Sequence, residues 1–247
     1  MNKGKQMANY VLIHGAWHTG AELEPVASLI RSTGHDVHAP TVKGNRPGDS
    51  RATGLAEAIG SIVEYLEEAD ATDIILVGHS YGGMVITGVA DRIPHRIRRL
   101  VYWNAFVPND GESLLDMALP HQVAAMEALA AGREDGSIMV PFPLWREAFM
   151  NDADLETART AYGLLNPHPM QTFRDKIALS TNPADMGVAK SYINCTEDMA
   201  APHSHPWHPR LSEKLGLFRL VQIPGGHEVC FTNPAGIARA IVDAGRD

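Results

Sequence analysis

Asp73-Ile74-Ile75-Leu76-Val77-Gly78-His79-Ser80-Tyr81-Gly82-Gly83 is the stretch on which the fold of this 247-residue chain turns. Its apolar run Ile74–Val77 reads as a buried strand, and the residues from Met84 to Asp91 read as a helix. Between them stands the pattern Gly-x-Ser-x-Gly. A strand that reverses into a helix so abruptly crowds the positions two before and two after the central serine, where only small residues fit, and lifts its hydroxyl clear of the sheet. With 22 glycines and 11 serines, composition alone predicts about 0.1 such patterns by chance, before the flanking strand and helix are required. Gly83 is expected to let the helix approach the sheet closely.

Working outward, Tyr10–Ile13 is a second short apolar strand, and it also runs into a glycine turn, His14-Gly15-Ala16-Trp17. Leu23, Val26 and Ile30 mark one helical stripe stopped at Gly34, and Leu55, Ile59, Ile62 and Leu66 mark another. Further strands are expected at Val37–Ala39, Ile97–Trp103, Val188–Ile193 and Leu217–Ile223, with a last helix opening at Asn233-Pro234 and running through Ile237 and Ile241. Strands alternating with helices predict an α/β fold whose mostly parallel sheet is covered on both faces.

One region breaks this rhythm. From Asp110 to Asp185 the helical patterns at Leu114–Met117, Val123–Leu129, Trp145–Met150 and Phe173–Leu179 are joined by no convincing strand. Residues 110–186 therefore read as a helical cap inserted into a core formed by 7–109 and 187–247. The polar segment Met1–Gln6, ahead of a second methionine at Met7, is given no fold role. Twelve acidic and five basic residues lie between Asp110 and Asp185, so nearly all of the net charge of −8 resides there. Met117, Met126, Met139, Met150, Met170 and Met186 lie in or at the edge of the same region, beside Phe142, Trp145 and Phe149. Polarisable, flexible side chains of this kind suit an adaptable apolar pocket, although they equally serve as ordinary helix core. Trp17, Phe106, Phe142, Trp145 and Phe149 are the expected substrate-binding residues.

A serine hydroxyl is a weak nucleophile unless a positioned base takes its proton and a third group fixes the tautomer of that base. In a strand-elbow-helix architecture the acid and the histidine follow the serine in the chain. His227, on the glycine loop Pro224-Gly225-Gly226-His227 after the last expected strand, is the candidate base for Ser80. The loop Asn194-Cys195-Thr196-Glu197-Asp198 supplies two carboxylates, of which Asp198 is favoured and Glu197 is the alternative. Asn104, at the other strand end where an acid could stand, has no carboxylate. His79 reads as a core histidine. The backbone N–H groups of Ala16 and Tyr81 are the candidate oxyanion donors.

Composition narrows the remaining classes. The chain is 45% apolar and 20% charged, enough for a full core, and 29 acidic against 21 basic residues leave no cationic excess for nucleic acid or anionic lipid. No apolar stretch approaches the ~18 residues of a membrane span. Cys195 and Cys230 are too few for a disulfide scaffold, which fits a reducing cytoplasm. His203, His205 and His208 lie in a proline-broken loop that cannot offer the regular spacing of a helical metal site, so no metal is expected.

The pieces His14-Gly15-Ala16, Gly78-His79-Ser80-Tyr81-Gly82-Gly83, Ala105-Phe106-Val107-Pro108, Thr196-Glu197-Asp198 with Pro202, and Gly225-Gly226-His227 together resemble an α/β-hydrolase from Tyr10 onward. More narrowly they resemble the group of plant methylesterases, hydroxynitrile lyases and related bacterial esterases, including hydrolases of carbamate esters of the carbendazim type. That resemblance implies a helical cap, no cofactor, and Ser80, Asp198 and His227 as the triad. The lyases of the group carry lysine directly after the histidine to stabilise departing cyanide, whereas Glu228 stands here. The expected activity is hydrolysis of a small neutral, largely apolar ester or carbamate ester through an acyl-enzyme. The alternatives are a hydroxynitrile lyase and a hydrolase-like receptor with slow turnover. The expected partner is a small-molecule substrate, and oligomeric state is left open.

Overall fold

The computed structural model describes residues 7–247, and the Met1–Gln6 segment lies outside the described residues. Its strands are β1 (Asn9–Ile13), β2 (Asp36–His38), β3 (Ile74–His79), β4 (Ile97–Trp103), β5 (Ser137–Ile138), β6 (His168–Pro169), β7 (Ala189–Cys195) and β8 (Arg219–Ile223). Its main helices are α1 (Glu24–Arg31), α2 (Leu55–Glu68), α3 (Gly82–Arg92), α4 (Pro120–Ala131), α5 (Leu155–Tyr162) and α6 (Pro234–Gly245). Six strands form one sheet in the order β2-β1-β3-β4-β7-β8, every neighbouring pair parallel. Every residue of β3 is buried, as a strand covered on both faces requires.

The chain runs outward from β1 to β2, then returns past β1 to β3 and continues in one direction through β4, β7 and β8. Helices consequently fall on opposite faces. Val26 and Ile30 of α1 pack with Ile237 and Ile241 of α6 against Leu12, Val77 and Val101. On the other face Ile59 and Ile62 of α2 pack with Val85 and Val89 of α3 against Val11, Leu76 and Leu100. The reversal between β1 and β3 opens a crevice at their carboxyl ends, where ligands bind in open α/β sheets. Both glycine turns singled out in the sequence enter that crevice.

Close packing at the elbow is specific to its glycines. A Cβ on Gly78 would lie 2.7 Å from the Gly82 carbonyl oxygen, and one on Gly82 would lie 2.7 Å from that of Ile13. It is therefore Gly82 that lets α3 approach β1. Gly83 serves a different neighbour than expected, since its Cβ would sit 2.1 Å from the Phe106 carbonyl oxygen in the loop after β4.

Between β4 and β7 the chain contributes nothing to the main sheet. It forms a short turn at Leu115–Met117, then α4, a wide helical turn at Trp145–Phe149, α5 and a brief turn at Gln171–Arg174. The last stops well short of the expected Leu179 because the backbone becomes extended at Asp175. Two features are absent from the sequence reading. One is α5, announced by Asp154, whose carboxylate accepts the Thr157 N–H at 2.7 Å. The other is the antiparallel pair β5–β6, whose two-residue strands are too short to show any periodicity.

Substituting Gly83→Ala should lower stability by at least about 1–3 kcal/mol, because a backbone carbonyl rather than a flexible side chain must give way. Gly187→Ala, where a Cβ would meet nothing within 4 Å, should change it by less than about 0.5 kcal/mol. Thermal denaturation of the two variants checks the contrast; equal melting temperatures would contradict the packing described.

Candidate active site

Ser80 sits at the tip of the β3–α3 turn with φ 53°, in the left-handed region that costs a residue with a side chain about 1–2 kcal/mol. The turn is held from both sides. Its N–H donates to the Trp103 carbonyl at 3.1 Å, and its carbonyl accepts the N–H groups of Gly83 and Phe106, both at 3.1 Å. Strain over-determined by surrounding bonds is what keeps an unfavourable backbone in place. Gly15 of the loop after β1 lies directly against it, since a Cβ there would be 3.2 Å from Ser80 Cβ. Ala16 and Tyr81, on either side of the serine, line the same cavity, and their N–H groups are not taken up in the turn hydrogen bonds around them.

The loops after β7 and β8 bring Asp198 to His227. Nδ1 of His227 lies 2.6 Å from Asp198 Oδ2, with both side chains almost wholly buried. The second carboxylate oxygen accepts the Ala200 N–H at 2.7 Å, and Asn104 Nδ2 also donates to Oδ2. Asn104 Oδ1 in turn accepts the Cys195 N–H at 2.7 Å. Asn104, unpromising because it is not an acid, thus brackets the acid of the neighbouring strand. Glu197 is exposed, and its carbonyl accepts from Asn151 Nδ2 at 2.8 Å. The structure brings Asp198, not Glu197, to the imidazole.

A second buried carboxylate lies behind the ring. Glu228 Oε1 is 3.2 Å from His18 Nε2, and both side chains are buried. Burial alone would raise the Glu228 carboxyl, but His18, His79 and His227 outweigh it and hold the pKa at about 2. His79 is the core histidine expected: Nε2 lies 3.1 Å from the His227 carbonyl oxygen, and burial pushes its pKa down to about 3. For His227 itself burial works against a charged ring, yet Asp198 and then Glu228 prevail, and the pKa is raised from 6.5.

The cavity above these groups is lined by Trp17, Phe106 and Phe149 among the expected substrate-binding residues. Phe142 and Trp145 do not line it. Trp145 is fully buried behind Phe149, stacked on it at 5.8 Å, with its Nε1 donating to the Ala158 carbonyl at 3.1 Å. Phe142 packs edge-on against Tyr162 at 5.2 Å within the same segment. An apolar count cannot separate a cavity wall from the interior of the segment that forms it. The sequence reading missed Trp207, whose ring stacks on the His227 imidazole at 5.3 Å while Phe149 meets it edge-on at the same distance. Of the methionines, Met117 and Met126 reach the cavity.

Among the described residues one group has metal-ligand atoms close together: His79, His227 and Glu228, within 4.8 Å of one another. Each already has a partner, namely the His227 carbonyl, Asp198 and His18 respectively. The arrangement is a buried charge network rather than a metal cup. His203, His205 and His208 form no such group, and His208 Nδ1 is bonded to Ser212 Oγ at 2.7 Å. No helix of the described chain is long and apolar enough to cross a membrane.

A family model described as "Alpha/beta hydrolase family" matches residues 10–240. The chain is 34% identical to a carbendazim hydrolyzing esterase of Nocardioides sp. (strain SG-4G), over 97% of this chain and 100% of that protein. It is 25% identical to a pyrethroid hydrolase of Sphingobium wenxiniae, covering 96% and 87% of the two. Among solved structures, an extracellular alpha/beta-hydrolase from a Paenibacillus species superposes with a TM-score of 0.94 at 35% identity, covering 97% of this chain and all of the other.

With two carboxylates facing it, the His227 imidazole should titrate above 6.5, read by NMR of its ring protons. Glu228→Gln removes one negative charge and should move that titration to lower pH. An unchanged or higher midpoint in the variant would show that Glu228 exerts no field on the ring.

Proposed function

This chain belongs to the alpha/beta hydrolase family and is a serine esterase, and we propose that Ser80, His227 and Asp198 are its nucleophile, base and orienting acid. The observation that carries the assignment is the 2.6 Å contact between His227 Nδ1 and Asp198, on the wall of the cavity that Ser80 enters. Asp198 keeps the Nδ1 proton in place, leaving Nε2 free to accept the Ser80 proton as Oγ attacks the ester carbonyl. The negative oxygen of the tetrahedral intermediate is taken by the N–H groups of Ala16 and Tyr81. His227 returns the proton to the departing alcohol, and an acyl-serine remains. Water, deprotonated by the same imidazole, then releases the acid and restores the serine.

The substrate proposed is a small, largely apolar ester or carbamate ester. Trp17, Phe106, Phe149, Phe173 and Trp207 supply aromatic wall on both sides of the reaction centre, which supports that class. The names of the similar proteins, one a carbendazim hydrolyzing esterase and one a pyrethroid hydrolase, point the same way. We assign residues 110–186 the role of a cap, because Leu114, Met117, Gln122, Met126 and Phe149 of that segment close the cavity over the sheet. A reducing cytoplasm remains the proposed compartment, on the ground that both cysteines are buried free thiols.

Cyanide elimination is disfavoured by Glu228. Where a lysine would stabilise a developing anion, this chain has a carboxylate held ionised beside His18. Like charges a few Å apart repel by about 1–4 kcal/mol, depending on the local dielectric.

Ser80→Ala should fold normally and lose roughly 10⁴ to 10⁶ in kcat on p-nitrophenyl acetate. Asp198→Asn should cost on the order of 10⁴ and Glu197→Gln little, the reverse ranking moving the triad. With mandelonitrile as the competing substrate, Ser80-dependent benzaldehyde release should be absent or marginal. Rapid benzaldehyde formation with little ester cleavage would replace the hydrolase reading by the lyase one.

A further inference from the structure

The cavity wall is unevenly equipped with polar groups. Among the described residues no carboxylate lines it, while Gln122, His205, Trp207 and Arg210 do. Gln122 Oε1 already accepts the Leu119 N–H at 3.1 Å, which leaves its amide N–H₂ to face outward as a donor. Trp207 is buried, and its Nε1 has no acceptor among the described residues. A buried donor without an acceptor is uncommon and costs about 1–3 kcal/mol, so it marks a place where a ligand group or water completes the bonding.

Arg210 is the most telling of the four. Its Nε donates to the Pro206 carbonyl at 3.2 Å and its Nη1 to the Met117 carbonyl at 3.1 Å, so the guanidinium is held against the cavity wall at both points. Among the described residues it forms no ion pair, and Nη2 has no protein acceptor. Lys214 beside it pairs with Glu112, whereas Lys190, buried elsewhere in the fold, is held by the Pro183, Ala184 and Met186 carbonyls; Arg210 differs from Lys190 in lining the cavity that Ser80 enters. Two backbone carbonyls explain why Arg210 is rigid. They leave Nη2 of a half-buried guanidinium on the cavity wall with a donor to spare.

We propose that Arg210 is a specificity-determining residue: its free Nη2, on a cavity wall that offers donors and no carboxylate, binds a hydrogen-bond acceptor carried by the substrate away from the bond that is cleaved. The substrate class narrows accordingly, from any small apolar ester to one whose apolar body carries a carbonyl or ring-nitrogen acceptor. An acceptor placed there gains a charge-assisted hydrogen bond that the analogue lacking it cannot make, so the two are discriminated. The inference rests on the esterase reading for its biological meaning, but binding alone can test it.

The test compares methyl 4-acetylphenylacetate with methyl 4-isopropylphenylacetate, which share shape and reacting group and differ in the acceptor. Binding of each to the Ser80→Ala protein is followed through tryptophan fluorescence, Trp17 and Trp207 both lying on the cavity. The acetyl ester should bind about tenfold more tightly despite being the less apolar of the two. In Ser80→Ala/Arg210→Met that ratio should fall to near one, and with Arg210→Lys, which retains a cationic donor, it should stay between the two. Equal binding of the two esters to Ser80→Ala, or a preference that survives in both Arg210 variants, would overturn the proposal. The ratio is insensitive to a general loosening of the wall, because both ligands would suffer it alike. Absence of turnover of either ester by the unmodified enzyme would instead count against the esterase reading and leave the binding ratio to decide on Arg210.

Discussion

The rest of the site depends on one backbone constraint, the left-handed Ser80 at the point where a fully buried strand turns into a helix. Such a conformation persists only if its neighbours make every alternative worse. Here the neighbours are the Trp103, Gly83 and Phe106 backbones and the glycines at 15, 78 and 82, each position admitting no Cβ without a close approach. The same contacts that hold the serine out of the sheet therefore also bring the loops after β1 and β4 against it. Those loops carry Ala16 and Asn104, so the serine turn and the supports of the other groups are packed as one unit.

Beneath that unit the charges are buried in pairs. Asp198 is satisfied by His227, Asn104 and the Ala200 N–H, and Glu228 faces His18 at 3.2 Å. A carboxylate taken out of water is costly unless its oxygens are bonded. Asp198 meets that requirement, and the His227 ring is oriented by it while lying within the field of Glu228. The stacked ring of Trp207 and the edge-on ring of Phe149 shield the imidazole from water, which strengthens both effects.

What could be read from the sequence was local. A run such as Ile74–Val77 followed by Gly-x-Ser-x-Gly carries its own geometry, because strand length, turn sterics and helix start all fall within a dozen residues. Chain order then led to His227 and to the loop holding Asp198. The features that escaped are those made by residues far apart in the chain. His18 and Glu228 meet across most of the sequence, and nothing near either announces the other. Trp207 lies in a proline-broken loop without periodicity. Asn104 was legible in principle, since β4 and β7 are neighbours and a polar side chain at the end of one faces the loop of the other. Composition alone places Phe142 and Trp145 with the cavity residues, and only packing distinguishes a wall from what stands behind it.

Trp17 occupies an unusual position in this division of the chain. It follows Ala16 directly, its indole N–H reaches the Ile138 carbonyl at 3.1 Å, and its own carbonyl accepts the Asn166 N–H at 2.7 Å. Much of the enclosing wall belongs to the segment between β4 and β7 and the reacting groups to the sheet, with ties also at the later loops, where Gly226 N–H donates to Asp152 Oδ2 at 2.9 Å. At Trp17 they are stitched together. Remodelling the stretch around Ile138 or Asn166 to admit a differently shaped substrate would tug on the loop that carries Ala16, and inherited variation there is therefore bound to the chemistry in a way that variation around Met126 is not.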